Sequence, residues 1–80
     1  MEKFILFIDK KTDSVIGIKD LSKNITFYKG ESVFLESFSK VIFIISNILL
    51  PINGSEIILV ENLILKSKIL VDPKRLIKIQ

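Results

Sequence analysis

The chain predicts an all-β fold, a compact small barrel or two-layer sandwich of six to seven short antiparallel strands. Three observations carry that expectation. Sixteen of the 80 residues are isoleucine and none is alanine, and β-branched side chains favour strands over helices. Short apolar runs recur at close spacing, separated by turn-forming residues. No stretch requires a long helix.

Phe4–Ile8 is an apolar run closed by the polar stretch 9–14, and residues 15–19 return as a second run. The pair reads as a β-hairpin. Both faces of the first run are apolar, which predicts a central or doubly covered strand. Gly17, in the middle of the second, predicts a bulge or a close backbone approach. Residues 20–24 turn the chain, Ile25 to Tyr28 form a third strand, and Lys29-Gly30-Glu31 turn it again.

Residues 32–50 admit two readings. As strands they give Val33-Phe34-Leu35 and Val41 to Ile45. As a helix, Phe34, Phe38, Val41, Ile42, Ile45 and Leu49 share a face. No capping box opens the helix, and its second half is β-branched and aromatic, so strands are favoured. Pro51-Ile52-Asn53-Gly54-Ser55 is the clearest turn signal in the chain. Residues 56–60 follow as a strand, which Glu61-Asn62 either interrupts or continues. Residues 63–71 alternate as one strand, with Leu63, Leu65, Ser67, Ile69 and Val71 on one face and Ile64, Lys66, Lys68 and Leu70 on the other. Asp72-Pro73 ends it, and residues 76–79 make a last short strand or an extended tail.

Eighty residues make one β domain, 1–80. There is no cysteine for a disulfide or thiolate metal site, and no histidine for proton transfer or metal ligation near neutral pH. The serines have no activating base, the acids fall mostly in turns, and the three glycines form no phosphate cradle. The chain therefore reads as non-enzymatic, with no cofactor, no metal and no small-molecule substrate. The first eight residues hold too short an apolar run for a signal core. The longest apolar stretch, residues 41–52, falls short of the roughly twenty residues of a membrane span. The expected location is intracellular or within a virion, neither secreted nor transmembrane, with no membrane partner.

Apolar residues make up 49% of the chain, and a domain this short buries only about 60–65% of the surface its unfolded form exposes. The surplus predicts a structural or assembly subunit that works by obligate protein–protein association, as a homo-oligomer or in a larger assembly. The expected interface lies on the continuous apolar runs, at Phe4, Leu6, Ile8, Val41, Phe43 and Ile45. Eleven lysines against one arginine fit an AT-rich coding bias, and with the small size they suggest, without requiring, a phage or viral structural component. The alternative is a nucleic-acid-binding β-barrel. The net charge of +3 resides wholly in residues 61–80, where Lys66, Lys68, Lys74, Arg75 and Lys78 could meet phosphates while Tyr28 stacks on a base. A third reading is inhibition of a partner by strand addition at an exposed edge.

Overall fold

The computed structural model describes residues 4–50 and 57–79. Strands β1 (Phe4–Asp9), β2 (Ser14–Asp20) and β3 (Ile25–Tyr28) form an antiparallel sheet in the order β1-β2-β3. Their tight turns place Asp13 and Asn24 at φ of 56° and 55°, a left-handed conformation that short polar side chains tolerate. Asp20 fixes the second turn by accepting from the Ser22 amide at 2.9 Å and its hydroxyl at 2.7 Å. The β1–β2 register passes from Phe7 opposite Gly17 to Ile8 opposite Val15. Ile16 is thus an extra residue, and its carbonyl accepts from the Lys29 amide at 2.8 Å. Of the two alternatives expected at Gly17 the bulge is found, and the closest neighbour is a side chain rather than backbone. It borders the bulge, and the Tyr28 ring lies 2.9 Å from where a Cβ would stand.

Strands β4 (Ser32–Leu35), β5 (Phe38–Ile48), β6 (Ile58–Asn62), β7 (Ser67–Val71) and β8 (Leu76–Lys78) form a second antiparallel sheet, ordered β7-β6-β5-β4-β8. Residues 32–48 take the strand reading. After β7, Asp72 accepts from the Lys74 amide at 2.9 Å and starts a 3-10 turn, Pro73–Arg75. That turn swings β8 back across the sheet to pair with β4.

Three expectations need correction. The described residues hold eight strands rather than six or seven, because residues 32–48 give two strands and residues 76–78 pair as a strand instead of trailing as a tail. Among the described residues the first apolar run is an edge strand, paired only with β2, and it leaves Ile5 and Ile8 half-exposed. Residues 63–66 are a turn joining β6 to β7. The turn expected at residues 51–55, with Glu56 beside it, lies outside the described residues.

The two sheets bury one core between them. Ile18 and Phe27 enter it from the first sheet; Val33, Leu35, Phe43, Ile45, Ile58, Val60, Val71 and Leu76 enter it from the second. Each such side chain contributes about 1.5–3 kcal/mol by leaving water. The crossing between sheets is tied by main-chain bonds, Gly30 N–H to the Ile45 carbonyl at 2.7 Å and Ile45 N–H to the Glu31 carbonyl at 3.0 Å. Lys78 fastens β8 to β3. Its ammonium lies 2.8 Å from Glu31, donates to the Thr26 carbonyl at 2.6 Å and sits 5.2 Å from the Phe27 ring centre. Among the described residues no helix is long and apolar enough to cross a membrane.

Candidate functional site

Among the described residues, the most exposed run of large apolar side chains is the β6–β7 turn. β6 ends at Asn62, which is only 6% exposed and whose side chain is bonded at both ends. Its Nδ2 donates to the Ile42 carbonyl of β5 at 2.9 Å, and its Oδ1 accepts from the Leu65 amide at 2.6 Å. This is the local side-chain turn that asparagine forms readily. Lys66, at φ 54°, then reverses the chain into β7. The consequence is that Leu63, Ile64 and Leu65 stand out from the body, 62%, 90% and 65% exposed. Three consecutive large apolar side chains left in water make a surface that favours being covered.

Beneath this tip runs an open groove of about 550 Å³. The tip forms one wall; Ser32, Lys40, Val41, Ile42 and Ile44 form the rest. Its shape comes from a register slip. Val33 pairs with Phe43 and Leu35 with Phe38, so the four residues 39–42 of β5 stand opposite the single residue Phe34. A bulge of this size bends the strand away from its neighbour. Among the described residues, no strand partner meets Lys40, Val41 or Ile42. Ile42 is 54% exposed and continues the apolar surface of the tip.

Charge around the groove is mainly positive. Lys40, Lys66 and Lys68 are all exposed, while the half-buried Glu61 sits opposite Lys68 and Ile44 in register.

The residues expected at a protein interface divide. Phe4 and Leu6 are half-buried and pack on the core, and Ile8 is half-exposed at the edge of the other sheet. Val41 lines the groove and also touches the core. Phe43 and Ile45 are buried in the chain's own core. In β5 both alternating sets of side chains are apolar, so the pattern did not tell inside from outside. The neighbours Ile42 and Ile44 line the groove. Sequence reasoning also missed Asn62 as the residue that shapes the tip, and its only cue was a turn-forming residue within an apolar run.

The basic residues do not converge. Lys66 follows the tip, and Lys68 stands two strands from the groove residue Ile44 in the same row. Lys74 and Arg75 lie past the other end of β7, roughly 17 Å away along the strand, where the Lys74 carbonyl accepts from the Lys23 ammonium at 3.1 Å. Lys78 is engaged with Glu31 and Thr26. Tyr28 is half-exposed on the three-stranded sheet, stacked on Phe7 at 6.3 Å between ring centres.

Comparison with family models, curated proteins and solved structures finds no match to this chain. Its functional reading therefore rests on geometry.

Proposed function

We propose that the protein is a non-enzymatic assembly subunit that works by presenting a preformed apolar surface to another polypeptide. The observation that carries this reading is the tip. Leu63, Ile64 and Leu65 are held out in water by a buried asparagine bonded at both ends, an arrangement that costs the isolated chain solubility and gives its core nothing. A surface already shaped before binding loses little conformational entropy when a partner covers it. Small size and an isoleucine- and lysine-rich composition suit a component of a larger structure, such as that of a phage or virus. The separation of the basic residues leaves the nucleic-acid reading without a continuous phosphate footprint, so it is not carried further.

The test is the native size of the chain in extracts of its source cells or particles, read by gel filtration with a tagged copy. The wild-type chain is expected in an assembly well above its own 9.2 kDa. Ile64→Ser is expected to release it as free chain. A wild-type chain that elutes free contradicts the proposal.

A further inference from the structure

We infer that the groove receives an extended segment of a different protein, apolar on the face it inserts and acidic along its flanks, paired to the unpartnered stretch Lys40–Ile42. The inference rests on the reading of this surface as an association site and names its occupant. Three observations select that occupant.

The first is shape. The tip shares with Ile42 and Ile44 the lining of one open recess. A bilayer surface would cover the projecting Ile64 and leave the recess empty, whereas a polypeptide segment carries side chains that fill it.

The second is charge. Lys40 lines the groove, the exposed Lys66 follows the tip residue Leu65, and Lys68 lies in the same cross-strand row as Glu61 and the groove residue Ile44. A second copy docked on the same patch across a two-fold axis would set these lysines against their own counterparts, on a chain of net charge +3. Glutamate or aspartate on the flanks of the incoming segment meets them with the opposite sign. Rim charges of this kind choose the partner and speed encounter.

The third is backbone. Lys40, Val41 and Ile42 stand outside both strand ladders of β5; Asn62 occupies the Ile42 carbonyl, and the stretch from Lys40 to the Ile42 amide is left to meet an added strand. Strand addition takes its affinity from main-chain bonds and its specificity from alternate side chains.

The experiment uses the purified full chain and fluorescence anisotropy with three short labelled peptides. One alternates glutamate and valine, the second alternates lysine and valine, and the third is the glutamate peptide with a central proline. The glutamate peptide should bind at least about tenfold more tightly than the lysine peptide, since a few rim pairs of up to about 1 kcal/mol each make up such a factor. The central proline, which lacks the amide donor, should weaken binding by a comparable factor. The pair Lys40→Glu and Lys66→Glu should reverse the charge preference, and Ile64→Ser should weaken both peptides. Equal affinity for the two charges, or a preference that survives the charge reversal, overturns the inference. Indifference to the proline overturns it too. So does a dimer of the purified chain that Ile64→Ser dissolves, which assigns the groove to a second copy. Retention on phosphatidylserine vesicles that Ile64→Ser abolishes assigns the tip to a membrane and likewise overturns it. If the chain assembles in extracts but the peptides show no preference, the association reading stands and only the occupant is wrong.

Discussion

The Leu65 amide donates to the Asn62 side-chain oxygen at 2.6 Å, across the base of the β6–β7 turn. The other end of the same side chain holds the Ile42 carbonyl of β5. One buried amide thus fixes the tip, its distance from the sheet and one end of the groove.

Asn62→Ala should therefore destabilise the fold by about 1–2 kcal/mol, because it leaves a part-buried carbonyl and a turn amide without their partner. Denaturant unfolding measures the loss, and hydrogen exchange should show faster exchange at the Leu65 amide. A change under about 0.5 kcal/mol, within the range of ordinary surface substitutions, would contradict this role.

Phe7, Gly17 and Tyr28 stand in one row across the three-stranded sheet, with the tyrosine ring over the glycine. A side chain at position 17 must displace that ring. Gly17→Val should cost about 1–3 kcal/mol, and Tyr28→Ala should absorb part of the cost, so the two changes should not add. Tyr28 is the sole tyrosine and there is no tryptophan, so intrinsic fluorescence reports its displacement directly. Strict additivity with unchanged fluorescence would exclude the contact.

Asp20 is 3% exposed. Burial pushes its carboxyl up. The Ser22 hydroxyl, the Lys23 and Ser22 amides and the Lys23 charge together outweigh that effect and hold it below the usual carboxylate value. A group with a lowered folded pKa stabilises fully above its unfolded value, about 3.9, and the contribution is lost as pH falls through the lower folded value. Asp20→Asn should lower stability at neutral pH by about 1–2 kcal/mol and flatten the acid limb of the stability profile below about pH 4. A parallel profile in the variant would show that another group governs acid unfolding.

Lys78 joins β8 to β3 through an ion pair, a main-chain carbonyl and an aromatic ring. The pair is partly solvated, so its value is modest and screened by salt. Lys78→Met keeps the stem and removes the charge. It should cost about 0.5–1.5 kcal/mol in low salt and less in high salt. A cost that does not change with salt would locate the effect in the stem.

Most strands were legible because their signals are local. The hairpin of residues 4–19 was marked by a polar turn between two apolar runs, and the end of β7 by Asp72-Pro73. The edge position of β1 was not legible, since a run apolar on both faces says nothing about which neighbours cover it. The turn at 63–66 was hidden for a different reason. Leu63-Ile64-Leu65 continues the apolar alternation of a strand, and a lysine at positive φ gives no glycine or asparagine to mark the reversal. Of the groove's lining only Val41 stood among the expected interface residues, because its other apolar residues imitate core in composition and are distinguished by where Asn62 holds them.

The measurement that bears most directly on the account is the unfolding free energy of the purified triple variant Leu63→Ser, Ile64→Ser, Leu65→Ser. If these side chains face a partner and not the core, stability stays within about 1 kcal/mol of the wild-type chain. A loss of about 3 kcal/mol or more, the size of a core truncation, would place them inside the fold and contradict the account.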